Sequence, residues 1–341
     1  MINMKKVKHI LISRTDNIGD VVLTLPMASF LKQYYPEVKV TFLVRDYTVN
    51  VVRLHPDVDG VMSWDQLSAM PKKAAIQFLK KAQIDCVIHV YPKSKVAKLM
   101  CDAGIKYRVG TYRRVHHWLY CNQWAYFSRA KSKMHEAVLN LKLLKPLGIE
   151  DLPTLDYLKE NFHLKTNIAI SDKLKAYLHP EKFNLILHPF TNGHTREWPV
   201  SQFNALIRQL PKEKFNILIT GSEKEAQNIK QRIAAQFPDV VNLAGKLTLF
   251  ELMRLIENAD GLIANGTGPM HLAAAFGIRT LGLFPSEKNV DPTRWAPVGK
   301  KAQWLMVDPN CQAPRCKAFP HCLCMESITV DQVKSVVMEW C

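Results

Sequence analysis

Residues 10–26 read ILISRTDNIGDVVLTLP. Ile10, Leu11 and Ile12 form a short apolar run that stops at a polar, glycine-containing turn, and a second apolar stretch from Val21 to Leu31 follows at helical spacing. That pattern is strand, loop, helix. It opens a sheet of parallel strands, and in such sheets ligands collect at the edge where the strands end. The loop gathers Arg14, Asp16, Asn17, Gly19 and Asp20, so two carboxylates and a cation stand where Gly19 lets the backbone come close to a ligand. An Asp directly before an apolar helix is also the ordinary helix N-cap, and Asp20 before Val21 fits that role as well. The loop by itself leaves both uses open.

The same alternation continues outward. Residues 38–44, 58–62, 86–90 and 107–109 read as strands, with helices at 49–54, 74–81, 93–103 and 135–147, the last ended by Gly148. Periodicity then weakens over 150–182, apart from a helix at 171–178, and the linker is expected there. A second set of strands follows at 184–188, 216–220, 240–243, 261–264 and 280–284. Helices after Trp198-Pro199 and at 224–237, 249–257 and 269–276 separate them. Two successive doubly wound α/β domains are predicted, 1–165 and 166–326. A last helix within 327–341 is left free to pack back on the first domain.

Composition narrows the class. Of 341 residues, 48% are hydrophobic, enough for two well-formed cores. No stretch approaches the roughly 20 apolar residues that span a bilayer, and the apolar run near the N-terminus is too short for a signal peptide. A cytoplasmic location is expected, with the eight cysteines mostly reduced. The net charge of +16 is unevenly placed: residues 1–165 carry 26 Lys/Arg against 14 Asp/Glu. Residues 93–133 hold ten of these cations against one acid, Asp102, interleaved with Tyr107, Tyr112, Trp118, Tyr120, Trp124 and Tyr126. Nucleic acid, an anionic membrane surface or a phosphorylated acceptor each suits such a patch, as does a plain solvated face.

The sharpest local signal is ANGTGPMHLAAAFG, residues 264–277. A buried strand ends in Asn265-Gly266-Thr267-Gly268, and Pro269 is placed at the first helical position, where its missing N–H costs nothing. Backbone N–H groups at a helix N-terminus attract phosphate oxygens, and the Thr267 hydroxyl adds a donor, which predicts a diphosphate site. His271 sits on the first turn, either donating to the same anion or packing inside. The run HPFTNGHTREWP, residues 188–199, repeats the strand, polar loop and helix start. Its loop offers Thr191, His194, Thr195 and Arg196, and the planar fork of Arg196 suits a phosphate clamp. Gly221-Ser222-Glu223 reads as a plain strand-to-helix turn. Neither a GxxxxGK[ST] run nor a GxGxxG after the first strand is present, which leaves little support for a nucleotide triphosphatase or a nicotinamide enzyme. Cys311, Cys316, Cys322 and Cys324, with His321, lie close together, but their spacing matches no common zinc ribbon. Free thiols are the expectation, with no metal and no cofactor.

Taken together, these motifs resemble glycosyltransferase family 9, the group that contains the ADP-heptose:lipopolysaccharide heptosyltransferases. The resemblance is carried by RTDNIGDVVLTLP, by Arg196-Glu197-Trp198-Pro199, by AGKLTLFELMRLIENAD, by NGTGPMHLAAAFG, by DPTRWAPVG at 291–299 and by the cysteine segment followed by ITVDQV. It covers nearly the whole chain. It implies a GT-B architecture of two Rossmann-like domains facing across a cleft, acceptor on the N-terminal side and nucleotide sugar on the C-terminal side. The implied reaction is inverting, metal-independent transfer of L-glycero-D-manno-heptose from ADP-heptose to the anionic Kdo-containing inner core. Asp20 would be the general base, with Asp16 the weaker candidate. Arg14, Asn17, Gly19, Arg113 and Arg114 would face the acceptor. Arg196, Thr267, Gly268, Gly266, His271 and Thr191 would face the donor, with adenine near Lys246 and Leu247. Gly266 stands where the family often has Asp, which leaves the donor sugar open. The basic first half would meet the acceptor and the cytoplasmic face of the inner membrane. The nearest alternative is another sugar nucleotide or acceptor within the family. A nucleic-acid-binding protein would leave the diphosphate loop unexplained, and a non-catalytic sugar-nucleotide sensor would not need Asp20.

Overall fold

The first strand, β1 (His9–Ser13), is buried along its whole length, as a strand covered on both faces must be. A computed structural model describes residues 2–166, 168–193, 195–287, 290–307 and 323–341. Cα clustering divides the chain into two units, Met1–Leu158 and Lys159–Cys341.

In the first unit β1 is joined by β2 (Lys39–Val44), β3 (Gly60–Ser63), β4 (Cys86–His89), β5 (Tyr107–Thr111) and β6 (Gln123–Ala125). Their order across the sheet is β3-β2-β1-β4-β5-β6, all parallel. The register sets Ile10 beside Val40 and Cys86, and Ser13 beside Leu43 and His89. Leu11, Leu43 and Val87 meet Leu67, Leu79, Val96 and Met100 from the helices Trp64–Ala69, Lys72–Lys81 and Ser94–Asp102 on one face of the sheet.

The second unit repeats the layout with β7 (Phe183–His188), β8 (Phe215–Ile219), β9 (Val241–Asn242), β10 (Gly261–Asn265), β11 (Arg279–Phe284) and β12 (Ala302–Met306). The order is β12-β11-β10-β7-β8-β9. In each sheet the order in which strands are added reverses between the first and fourth strands, β1/β4 and β7/β10, and that switch point is where a doubly wound sheet leaves a crevice. The second core is centred on Trp198 and Phe203, packed edge to face at 4.7 Å, with the Trp198 indole N–H donating to the Ile328 carbonyl at 2.7 Å.

Several expectations shift in detail. The helix expected to run through Val21–Leu31 is two, Ile18–Val22 and Pro26–Tyr34, because Pro26 has no N–H to continue a turn and instead starts the next helix. The helix at 135–147 is α-helical over Glu136–Leu141 and then tightens to a 3-10 turn around Pro146, stopped by Gly148 at φ +88°. Strand β6 and the helices Val115–Tyr120 and Leu155–Asn161, of 3, 6 and 7 residues, are too short for the sequence pattern to mark them. The C-terminal helix Val330–Met338, left free to join the first domain, packs in the second unit instead. Val333, Val337 and Trp340 enter the core around Trp198.

Candidate functional site

At the switch point of the first sheet, the chain leaves β1 and turns through Arg14–Asn17 into the helix Ile18–Val22. Asn17, exposed, is the N-cap, and its side chain makes no capping bond. Asp20 therefore sits in the first turn and is not the cap. Its carboxylate is gripped by Arg14 Nη2. The Arg14 guanidinium is buried and spreads over four acceptors. Nε donates to Asp16 at 2.8 Å, Nη2 to Asp20, and Nη1 to Glu136 at 3.3 Å and to the Asn140 amide oxygen at 3.4 Å. Glu136, itself 2% exposed, is shared with Arg129, whose Nη2 donates to Asn140 at 3.0 Å. Asn140 ties the group to the helix end through the Leu23 carbonyl and the Thr24 hydroxyl. Gly19 is buried beneath this turn.

Three carboxylates and two guanidiniums in so small a space fix one another's charge. Burial opposes ionised Arg14, but Asp20, Asp16 and Glu136 outweigh it and raise its pKa. Burial first, and then the neighbouring Asp20, push Asp16 up to about 7 against the pull of Arg14. The Asp16 carboxyl is thereby shifted toward its protonated form. A carboxylate, a carboxyl shifted toward protonation and a fixed cation make a site suited to taking a proton from an attacking hydroxyl. Glu136, Asn140 and Arg129 were missed in the sequence. The available signal was Glu136 and Asn140, four residues apart on a helix otherwise built of Ala, Val and Leu.

Next in the same sheet, His89 ends β4 and lies 5.8 Å from the His117 ring, with His116 4.7 Å from His117. Burial pushes His89 down to about 3 and His117 to about 4, so both are neutral. Among the described residues no group of three or more His, Cys, Asp or Glu side chains could hold a metal ion. Arg113 and Arg114 are exposed in the turn beyond β5.

The second unit builds its own switch-point site. The loop after β7 and the helix after β10 are tied together by Asn265, whose amide oxygen accepts from the Trp198 N–H at 2.8 Å and whose amide donates to the Pro189 carbonyl at 2.7 Å. The helix begins with Gly268 as its first residue and Pro269 second, one position later than expected. Thr267 occupies the N-cap with extended backbone (φ −132°, ψ 169°), yet its side chain makes no capping bond, and its buried hydroxyl has no partner among the described residues. The helix thus presents first-turn N–H groups and an unused hydroxyl together. Gly299, from the 291–299 motif, lies against this helix, where a Cβ would fall 2.2 Å from the Ala274 carbonyl oxygen.

Gly266 has a steric reason. A Cβ there would meet the Phe284 ring at 2.8 Å, so the aromatic side chain at the end of β11 fills the room that an Asp would need. Arg196 is buried and its Nε donates to Glu287 at 3.2 Å, a partner no sequence signal marked. Thr191 serves the loop itself, its N–H and hydroxyl both donating to Glu197 at 2.8 and 2.9 Å. His271 is buried on the first turn. Lys246 is exposed after Gly245 (φ +70°), its ammonium on the Asn242 carbonyl at 2.7 Å, with half-buried Leu247 beside it. His194, His321, Cys311, Cys316 and Cys322 lie outside the described residues. Cys324 is half-buried, and Cys86, Cys101, Cys121 and Cys341 are free thiols.

With both sites described, comparison with known proteins is informative. The family model for glycosyltransferase family 9 (heptosyltransferase) matches residues 73–320. Lipopolysaccharide heptosyltransferase 3 of Escherichia coli is 25% identical over 299 residues, spanning 82% of this chain and 84% of its own. A crystal structure of a family 9 glycosyl transferase from Veillonella parvula DSM 2008 matches with a TM-score of 0.81 at 16% identity, covering 98% of this chain and 97% of that one. The E. coli heptosyltransferase WaaC, solved with ADP, matches with a TM-score of 0.73 at 20% identity over 98% and 100% of the two chains. The shared fold is the GT-B fold expected from the sequence.

Proposed function

Because this chain belongs to glycosyltransferase family 9 and is a glycosyltransferase of the heptosyltransferase kind, we propose that it moves L-glycero-D-manno-heptose from ADP-heptose to the Kdo/heptose inner core of lipopolysaccharide. The observation that carries this is Thr267: an N-cap hydroxyl without a capping bond, at the head of the eight-residue helix Gly268–Ala275 and at the sheet's switch point. An ADP diphosphate supplies acceptors to this hydroxyl and to the first-turn N–H groups of the helix, and Gly266 allows its close approach. Arg196, held by Glu287, adds a planar cation beside them, with His271 on the first turn and Thr191 bracing the loop. Adenine is assigned to the Lys246–Leu247 turn. E. coli WaaC, of the same fold, was solved with ADP.

Transfer is a single displacement. The acceptor oxygen bonds to the anomeric carbon as the bond to the β-phosphate oxygen breaks, and ADP leaves with the electron pair. The anomeric configuration inverts, and the hydroxyl proton passes to the Asp20 carboxylate. Arg14 holds that carboxylate in one orientation. The growing charge on ADP is met by the helix N-terminus and Arg196, which supplies the electrostatic stabilisation that a metal would otherwise give. The acceptor is anionic, in keeping with exposed Arg113 and Arg114, exposed Asn17 and the basic segment 93–133. The protein is assigned to peripheral contact with the cytoplasmic face of the inner membrane; no helix among the described residues is long and apolar enough to cross one.

The test is mass-spectrometric detection of heptose transfer from ADP-heptose to a purified, deacylated Kdo-containing core, beside Asp20→Ala. Transfer by the wild type alone, with ADP binding intact in both, supports donor, acceptor and base together. ADP binding without transfer redirects the assignment to another ADP-sugar or acceptor of the same family.

A further inference from the structure

The short helix Val115–Tyr120 is built inside out. Val115, Trp118 and Leu119 share one face at i, i+3, i+4 spacing, the stripe a helix normally buries. Here they are 82%, 58% and 70% exposed, while His117 is fully buried. The helix has no freedom to roll over. The His117 Nδ1 accepts the Thr111 N–H at 2.9 Å, and its ring fills the space left by Gly110, where a Cβ would sit 2.5 Å from Nδ1 and 2.8 Å from Cys121 Sγ.

Aromatic side chains extend the exposed face. Tyr112 stacks on Trp118 and on Tyr126 with centroids 5.2 Å apart in each case, and Tyr126 is 75% exposed. The Trp118 indole N–H donates to the Tyr112 carbonyl at 2.6 Å, so the plate is pre-ordered and its one strong donor is already satisfied. Arg113 and Arg114, directly before the helix, are exposed, Lys98 lies over the Tyr120 ring at 5.5 Å, and Lys95, Lys131 and Lys133 of the same basic segment are exposed as well. Asp102, the one acid among residues 93–133, is held by Lys72 at 2.8 Å. The helix follows β5 directly and so stands at the C-terminal edge of the sheet that also carries Arg14 and Asp20.

Exposed aliphatic and aromatic side chains gathered on one face mark a contact surface. Tyr and Trp beside aliphatic side chains, ringed by cations, is the composition that settles at the headgroup level of an anionic bilayer. We propose that the Tyr112–Trp118–Tyr126 plate, with Val115 and Leu119, inserts into the interfacial layer of an anionic phospholipid bilayer. The surrounding Lys and Arg side chains pair with lipid phosphates, and the acceptor edge of the first sheet is thereby held at the membrane. This deepens the membrane reading above and rests on it for the identity of the surface. It adds penetration to what charge alone would give.

The experiment uses the full-length protein and sedimentation with vesicles of phosphatidylcholine containing 30 mol% phosphatidylglycerol, at low and at 0.5 M salt. Trp118→Ser/Leu119→Ser alters only exposed side chains and is checked for unchanged thermal unfolding. The expected result is a loss of vesicle affinity of at least about tenfold at both salt concentrations. Tryptophan emission quenched by brominated lipid should be reduced in the variant. Wild-type affinity in the variant, or an interaction abolished entirely by 0.5 M salt, overturns insertion. So does a dimer in light scattering that the double substitution converts to monomer, since a second copy would then cover the plate. Vesicle binding is read without any turnover, so failure of the proposed reaction and failure of the insertion are separate results.

Discussion

Thr267→Val separates a ligand-binding hydroxyl from a structural one. A Thr at a helix N-cap normally accepts an N–H of the first turn, and its loss costs about 1 kcal/mol of stability. Thr267 makes no such bond, so there is little stability to lose. Valine keeps the shape, and the extended backbone (φ −132°, ψ 169°) is one β-branched residues adopt readily. The hydroxyl's worth should appear on the ligand instead. A hydrogen bond to a charged group contributes about 1.5–3 kcal/mol, and about 1.4 kcal/mol is a factor of ten, so ADP affinity should fall roughly 10- to 150-fold. Isothermal titration calorimetry with ADP, beside thermal unfolding of the ligand-free protein, reads both quantities. Unchanged unfolding with weakened ADP is the expected pair. A lower melting temperature with unchanged ADP binding would mean that the hydroxyl caps the helix after all, and the diphosphate assignment would fall with it.

Four further outcomes follow from the same structure. Asp20→Asn should abolish sugar transfer while leaving ADP affinity within about twofold; retained turnover would move the base to Asp16. Asp16 is raised to about 7 in the folded chain from 3.8, so its contribution to stability is complete below pH 3.8 and is lost as pH rises through 7. Wild-type urea stability should therefore drop more steeply between pH 5 and 8.5 than that of Asp16→Asn, and parallel curves would refute the shift. Glu136→Ala leaves buried Arg14 and half-buried Arg129 short of a shared carboxylate and should cost about 3 kcal/mol in chemical denaturation; a cost under about 0.5 kcal/mol would mean that water replaces it. In native alkylation followed by peptide mapping, exposed Cys341 should be labelled first among the described cysteines. Cys86, its thiol pushed up by burial, and Cys121, pushed up to about 12 by burial, should react only on unfolding.

How far the sequence speaks depends on how far apart the interacting residues lie. The switch points were legible because each is written locally: an apolar run, a turn with glycine, an apolar helix. Thr267 stands at the helix start its motif predicts, while Asp20, read as a helix N-cap or a base, lies in the first turn of a helix that Asn17 caps. Turn-by-turn detail was less legible, since one Pro26 divides a helix that periodicity alone would run through. Least legible was what holds the functional groups in place. Arg14 reaches Glu136 and Asn140 across 122 and 126 residues, and Arg196 reaches Glu287 across 91. No spacing rule joins such pairs. Gly266 shows the same limit from the opposite side. In the sequence it is a missing carboxylate, whereas in the structure it is the residue that Phe284 permits, a contact across neighbouring strands. If that steric account holds, Gly266→Asp should lower stability through the displaced ring, and Phe284→Leu should recover part of the loss. At this position an aromatic side chain occupies the room that an acid would need. Under the proposed donor assignment, selectivity among sugars would then come from shape and from the diphosphate contacts and not from a carboxylate reading sugar hydroxyls.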